Sequence, residues 1–245
     1  MADKPQVCSA KSLTKGIDLV IAGAIIKDYT MIEKSIASLP DYDFKNKFIL
    51  FDGYNGSGLF KDQYDAYKNT IAKKYPDFCV IAFRENIYFR DMIEQICRVS
   101  EAERLFIIQD DVIAHQMDLK QIEIQMNYLK DLKILCFPHK YISPEGTSWY
   151  EPFDDSYPLP FIKSHGFSER IFICDRKNML KICETKPKNN KMEKRFIEFI
   201  YNTAMKKSRW KEGYDDEKER YWKDFGCYFH HDIYHTHQVG KRPVV

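Results

Sequence analysis

The fold of this chain is decided by the stretch Ile17-Asp18-Leu19-Val20-Ile21-Ala22-Gly23-Ala24-Ile25-Ile26, a nearly continuous apolar run rich in β-branched residues. Such a run is typical of a strand that is buried on both faces, as the strands of parallel sheets are. In residues 27–39, which follow it, Ile32, Ile36 and Leu39 recur at helical spacing before a proline ends the pattern. A strand followed by a helix is the repeating unit of an α/β fold.

The same alternation of apolar strands and amphipathic helices continues through the first half of the chain. Strands are predicted at 48–51, 78–83 and 104–108, and helices at 59–75 and about 89–102. At this regular spacing the pattern predicts a parallel sheet with right-handed crossovers. We therefore expect the α/β class.

The second half of the chain has a less regular pattern. It predicts a helix at 117–130, strands at 132–137 and 167–174, and an amphipathic helix over 192–207. Residues 138–160 contain five prolines, which predicts a long loop over a site. Because the sequence has no internal repeat and no clear linker, we expect a single domain.

The composition excludes several classes of protein. The 245 residues include 38 basic and 36 acidic side chains, and the net charge of +2 argues against nucleic acid as the main partner. With 44% apolar residues the chain can bury a core. No apolar stretch reaches the ~18 residues that a membrane span needs, and residues 1–15 lack the apolar region of a signal peptide. We expect a cytoplasmic protein.

The seven cysteines are odd in number and widely spaced, and they form no Cys-x-x-Cys motif. This pattern does not resemble a disulfide framework or a zinc ribbon. We expect buried free thiols in a reducing compartment.

Acidic side chains follow two of the predicted strands. Asp52 comes directly after the second strand, and Asp110-Asp111 after the fourth. Ligands of open α/β sheets bind beyond the carboxyl ends of the strands. Adjacent carboxylates repel each other unless a cation or hydrogen-bond donors neutralise them, so Mn²⁺ or Mg²⁺ is the expected partner. The alternative is a solvated loop that caps the next helix.

The order of these pieces carries a resemblance to a known family. An apolar strand, a helix ending in Ser-Leu-Pro, a strand ending in Asp-Gly, a strand ending in Arg-Glu-Asn and then Ile-Ile-Gln-Asp-Asp-Val follow one another. This resembles the nucleotide-sugar half of GT-A glycosyltransferases, most closely the family-2 type and the small enzymes of this kind from large DNA viruses. The resemblance covers about 17–115, and it implies that about 116–245 form the acceptor-binding half and the C-terminal tail. The implied fold has a Rossmann-like nucleotide-sugar-binding half and a mixed central sheet.

The resemblance implies a site for a nucleotide-diphosphate sugar, with UDP as the expected nucleotide. Asp52 matches the residue that accepts a hydrogen bond from the base or ribose. Further donor contacts are expected at the end of the first strand and after the third, from Ile25, Lys27, Arg84 and Arg90. For each arginine a surface salt bridge is an equal alternative.

The metal motif of the family has a counterpart with one departure. Gln109-Asp110-Asp111 stands where the family has its DxD motif, but Gln109 replaces the first carboxylate. By the resemblance, Asp111 matches the metal ligand and Asp110 is placed to reach the ribose or the donor sugar. Gln109 can offer only an amide.

The C-terminal tail, 230–241, contains four of the seven histidines. Alternation along an extended segment puts His235 and His237 on one face, where two imidazoles can complete a metal site begun by Asp111. The run from His237 to Gly240-Lys241 resembles a late His-x-x-Gly-Lys arrangement of metal-dependent GT-A enzymes, with His235 as the second candidate and Lys241 facing the diphosphate. The alternatives are histidines without a ligand role and a separate zinc site with Cys227.

Inverting transfer to a glycan or other hydroxyl acceptor needs a carboxylate base on the acceptor side. The family-2 resemblance favours the start of the predicted helix 192–207, which offers Glu193 and Glu198. A carboxylate in the first turn also stabilises a helix dipole, which is the competing role for Glu193. Other acidic residues of the second half remain candidates: Asp154, Asp155 and Glu169.

Two rival functions belong to other classes. A nucleotidyltransferase also uses a metal-bound carboxylate on an α/β sheet, but it should show a Gly-rich loop after the first strand, where this chain has Lys27-Asp28-Tyr29-Thr30. A non-catalytic metal or nucleic-acid binding module would rest on the histidine tail and the basic helices. It predicts salt-sensitive binding to polynucleotide and no response to UDP.

Overall fold

The structure is a computed structural model that describes residues 16–23, 30–53, 58–114, 117–129, 131–138, 159–164, 167–185, 223, 225–233 and 235–237. Predictions that fall elsewhere lie outside the described residues. Among them are the amphipathic helix at 192–207 and most of the proline-rich segment at 138–160.

The elements alternate through the first half of the chain as the sequence predicts. The strands there are β1 (Ile17–Gly23), β2 (Lys47–Phe51), β3 (Cys79–Ala82) and β4 (Arg104–Gln109), and the helices are α1 (Thr30–Ala37), α2 (Gly58–Lys74) and α3 (Tyr88–Val99). Next come β5 (Val112–Ala114), α4 (Leu119–Tyr128), β6 (Ile134–Cys136), β7 (Phe161–Lys163), β8 (Ile171–Asp175), α5 (Arg176–Cys183), β9 (Cys227–His230) and β10 (His235–His237).

One mixed sheet contains strands from both halves of the chain. Its eight strands lie in the order β3-β2-β1-β4-β8-β6-β9-β7. The first four are parallel, β8 is antiparallel to both of its neighbours β4 and β6, and β9 is parallel to β6. Strands β5 and β10 form a separate antiparallel pair. The α/β class with a mixed central sheet is therefore confirmed.

Apolar side chains pack on both faces of the sheet, as the continuous apolar run of β1 predicts. All seven residues of β1 are buried. Its odd-numbered side chains pack with α1, α2 and α4 on one face, and its even-numbered Val20 and Ala22 pack with α3 and α5 on the other. A strand covered by helices on both faces gains nothing from polar alternation, which explains its sequence.

Asp18 is the one charged residue inside β1, and it is fully buried. Its Oδ1 accepts a hydrogen bond from Asn46 Nδ2 at 2.8 Å, and its Oδ2 accepts one from Ser100 Oγ at 2.7 Å. Burial raises the pKa of Asp18, and these two donors partly offset that rise. The carboxyl thus ties β1 to the segments that precede β2 and β4.

Several predicted boundaries were wrong. The strand predicted at 167–174 begins at Ile171, and the strand predicted at 132–137 covers only Ile134–Cys136. Residues 24–26 of the first predicted strand lie outside the described residues. Helix α5 was missed, although Asp175 gives the ordinary sequence signal of an N-cap and accepts a hydrogen bond from the Asn178 N–H at 2.7 Å. The six described cysteines are free thiols, and five of them are buried.

Candidate functional site

Asp52 lies immediately after β2, at the carboxyl edge of the parallel strands, with only 5% of its surface exposed. Its Oδ1 accepts hydrogen bonds from the backbone N–H groups of Gly53 (2.8 Å), Ile87 (2.7 Å) and Tyr88 (3.3 Å). Burial raises the pKa of Asp52, and the three N–H donors partly offset that effect. Within the described residues, hydrogen bonds reach its Oδ1 and not its Oδ2, so Oδ2 can accept from a ligand.

The chain after β2 and the chain after β3 approach each other closely at this carboxylate. A Cβ on Gly53 would overlap the backbone carbonyl of Glu85. Tyr88 adopts a φ of 64°, in the left-handed region that side chains rarely occupy. The bond from its N–H to Asp52 helps to hold this conformation, so Asp52 organises the beginning of α3.

The Asp110-Asp111 turn connects β4 to β5 and is fixed from α1. The fully buried hydroxyl of Ser35 lies 2.8 Å from the Asp110 carbonyl and 2.7 Å from the Val112 carbonyl. The side chain of Asp110 lies against Gly23 at the end of β1, where a Cβ would overlap its carboxyl group. Asp110 is therefore held across the carboxyl end of β1, where the sequence predicts the donor.

Asp111 is buried, with 6% of its surface exposed, and its nearest cation among the described residues is Arg170. The Arg170 Nη1 lies 3.9 Å from Asp111 Oδ1 and donates a hydrogen bond to Gln109 Oε1 at 2.8 Å. Neither Arg170 nor Ser35 was predicted as a site residue, because neither belongs to a motif in the sequence.

The histidine tail returns to this edge of the sheet through β10. In the β5–β10 pair, His237 lies opposite Val112 and His235 opposite Ala114. His235 is buried, and its Nδ1 lies 2.7 Å from the Phe137 carbonyl oxygen. Since a carbonyl can only accept, Nδ1 carries the proton, and the neutral ring then has its lone pair on Nε2. Metal-ligating histidines are commonly oriented by such a bond.

These residues suit a hard divalent cation by the chemistry of their donors. Two carboxylates and an imidazole with its lone pair on Nε2 are ligand types that Mn²⁺ accepts, and carboxylates also suit Mg²⁺. Among the side chains that the structure describes, no group of three or more His, Cys, Asp or Glu residues is close enough together to bind a metal ion. The described part thus offers no zinc cluster around Cys227, and the side chain of His237 lies outside it.

His230 has a structural role rather than a place in this site. It is 4% exposed, its Nδ1 accepts from the N–H groups of Asp232 (3.1 Å) and Ile233 (3.2 Å), and its ring stacks on Phe137. Burial lowers the pKa of His230 from 6.5 to about 4. One histidine of the tail therefore matches the alternative of no ligand role.

His230→Asn should flatten the pH dependence of stability. In the wild type, unfolded chains take up a proton at His230 below pH 6.5 that the folded chain does not take up until about pH 4. The free energy of unfolding should fall by about 3 kcal/mol through this window as the pH is lowered. Asparagine offers an acceptor oxygen to the same N–H groups and does not titrate. Urea unfolding at several pH values from 7 to 4 measures this, and equal slopes in the two proteins would contradict it.

The other predicted site residues are placed as follows. Arg84 is exposed just beyond β3, at the same edge as Asp52. Arg90 lies in α3, and its Nη2 forms a salt bridge with Asp91 Oδ1 at 2.7 Å. A salt bridge was the stated alternative to a donor contact for this residue. Glu169 is buried. The remaining predicted residues lie outside the described part of the chain: Ile25, Lys27, Asp154, Asp155, Glu193, Glu198 and Lys241.

The fold has clear counterparts among solved structures. It is the GT-A fold, shared with S. aureus TarS, residues 1–349 (TM-score 0.52, 12% identity, 90% of this chain and 60% of that one). The mannosyltransferase PcManGT from Pyrobaculum calidifontis, solved with GDP-Man and Mn²⁺, matches with TM-score 0.58 and 12% identity over 98% of this chain and 62% of its own. GalNAc-T7, solved with UDP, GalNAc and Mn²⁺, matches with TM-score 0.54 and 7% identity over 91% and 43%.

Two comparisons of the sequence gave no such match. No protein-family model matches it, and neither does any curated protein. The chain spans about 60% of the length of the TarS fragment and of PcManGT. Among the described helices, none has the length and apolar character to span a membrane.

Proposed function

We propose that the chain is a metal-dependent glycosyltransferase that moves a sugar from a nucleotide-diphosphate donor, UDP-linked, to a hydroxyl of a glycan or another acceptor. One observation carries the proposal: Asp52, Asp110 and Asp111 lie at the carboxyl ends of β2 and β4, and the β5–β10 pair brings His235 to the same edge. Two proteins of the same fold were solved with a nucleotide or nucleotide sugar and Mn²⁺.

The predicted donor-binding residues contact different parts of the donor in this proposal. Asp52, anchored through Oδ1, presents Oδ2 to a base N–H or a ribose hydroxyl. Asp110, lying against Gly23, reaches the ribose or the sugar. Arg84 supplies positive charge beyond β3. Arg90 supplies a second positive charge when its salt bridge to Asp91 breaks. Ile25 and Lys27, which follow β1 in the sequence and lie outside the described residues, are further proposed donor contacts.

Asp111 and one or both tail histidines would hold the cation. His237 is the first candidate for the histidine ligand and His235 the second. When bound, Mn²⁺ or Mg²⁺ neutralises charge on the departing diphosphate. Lys241 adds a second positive charge to the same leaving group. The base that takes the proton of the acceptor hydroxyl is Glu193 or Glu198, and direct displacement by that hydroxyl inverts the anomeric carbon.

A thermal-shift panel tests the proposal. UDP or a UDP-sugar at about 100 times its Kd should stabilise the folded chain by about 2.7 kcal/mol, and Mn²⁺ should be required for the full effect. For a chain of this length the melting temperature should rise by roughly 5–10 °C. If neither UDP- nor GDP-linked ligands stabilise the wild type with Mn²⁺, the proposal is wrong. A salt-sensitive shift with polynucleotide alone would favour the binding module instead.

A further inference from the structure

Arg170 is placed at the candidate metal site by the pairing of two strands. Strand β8 runs antiparallel to β4, with Ile171 opposite Ile108. The ladder continues by one step, because the Gln109 N–H donates to the Arg170 carbonyl at 2.9 Å. Arg170 is therefore the cross-strand neighbour of Gln109, and its position follows from the sheet rather than from a loop.

The guanidinium of Arg170 contacts two residues of the Gln109-Asp110-Asp111 segment. Its Nη1 donates to Gln109 Oε1 at 2.8 Å and lies 3.9 Å from Asp111 Oδ1. The Asp111 side chain is 9% exposed, whereas that of Arg170 is 43% exposed. Gln109 orients the guanidinium without neutralising it, since an amide carries no charge. The positive charge of Arg170 therefore acts on Asp111.

We propose that Arg170 is a tethered cation that shares the Asp111 carboxylate with the divalent metal ion. The inference rests on the proposed function in one respect, the assignment of Asp111 as a metal ligand. A metal ion at Asp111 meets the like charge of the guanidinium nearby, which weakens the binding of metal alone. The diphosphate of a donor carries negative charge that offsets both cations. Arg170 is thus a positioning residue that makes metal binding depend on the nucleotide.

Mn²⁺ titration of the nucleotide-free protein tests this inference. The electron paramagnetic resonance signal of free Mn²⁺ gives the Kd for wild type, Arg170→Gln and a matched control, Arg104→Gln. Arg104 lies at the other end of β4 and donates to a neutral acceptor, Asn127 Oδ1, at 2.7 Å. Removing the charge at 170 should tighten Mn²⁺ binding about fivefold, the upper end for a partly exposed pair. The control should bind as the wild type does.

A second variant guards against a folding failure of Arg170→Gln. Arg170→Met removes the same charge with an uncharged side chain of a different kind and should also tighten Mn²⁺ binding; the melting temperature reports whether each variant folds. Equal Mn²⁺ affinity in the wild type and the variants overturns the inference, as does an absence of Mn²⁺ binding in all of them. Stabilisation of the wild type by UDP and Mn²⁺ alongside equal affinities would overturn the role of Arg170 and leave the proposed function standing.

Discussion

Asp111→Asn should remove the Mn²⁺-dependent part of nucleotide binding while the chain stays folded. Asparagine keeps the size of the side chain but not its charge, and the buried carboxylate is the group proposed to hold the cation at the end of β4. Loss of an outer-shell partner of a metal already costs 10- to 100-fold in affinity or activity, so losing a direct ligand should cost at least about 100-fold. Thermal shifts with UDP, with and without Mn²⁺, measure the binding. Release of UDP from a UDP-sugar measures the activity.

The matched control for this substitution is Asp41→Asn. Asp41 is exposed and lies between α1 and β2, at the edge of the sheet opposite the candidate site. It should leave both the Mn²⁺-dependent shift and UDP release unchanged. A full Mn²⁺-dependent thermal shift in Asp111→Asn would contradict the prediction, because it would show that other residues hold the cation.

The parallel half of the sheet was predictable because each of its elements carries its own local signal. Strand β1 is apolar along almost its whole length, and α3 repeats apolar residues at helical spacing. The other half of the sheet was harder. Strand β6 was predicted within 132–137, but β7 and β9, with three and four residues, were not, and they pair with partners far away in the chain. A three-residue strand is too short for a periodic pattern to distinguish it from a loop.

The same limit applies to the candidate site. Asp52 and the Asp110-Asp111 pair were found because acidic residues after apolar strands are visible in the sequence. Arg170 was not, because it reaches Gln109 across 61 residues through the β4–β8 pairing. The tail histidines show why a count of histidines does not identify metal ligands. His230 is a buried acceptor at the end of β9, whereas His235 lies beside β5 with its Nδ1 hydrogen-bonded to a carbonyl.

Gly53→Ala should cause a large loss of stability. The added Cβ would overlap the carbonyl carbon and oxygen of Glu85, and these backbone atoms cannot rotate away as a side chain can. Relief requires the segment after β2 to separate from the segment before α3, which breaks the hydrogen bonds that Asp52 accepts from Ile87 and Tyr88. Overpacking of this kind costs about 3 kcal/mol, which lowers the melting temperature by roughly 6–12 °C in a chain of this length. Calorimetry measures it directly.

Gly23→Ala is the informative comparison, because its Cβ would overlap the side chain of Asp110 instead of backbone. Rotation about χ1 moves the Asp110 carboxyl group aside but not its Cβ, which the new Cβ would also overlap, so part of the overlap has to be relieved by a backbone shift. The melting temperature should therefore fall, but by less than in Gly53→Ala, where all the overlapping atoms are backbone. The same movement takes Asp110 away from the end of β1, and UDP-sugar binding should weaken. Gly23→Ala should thus combine a smaller loss of stability with a loss of donor binding at the same edge of the sheet. Equal losses of melting temperature in both variants would contradict this, since they would mean that Asp110 is held as rigidly as the backbone of Glu85.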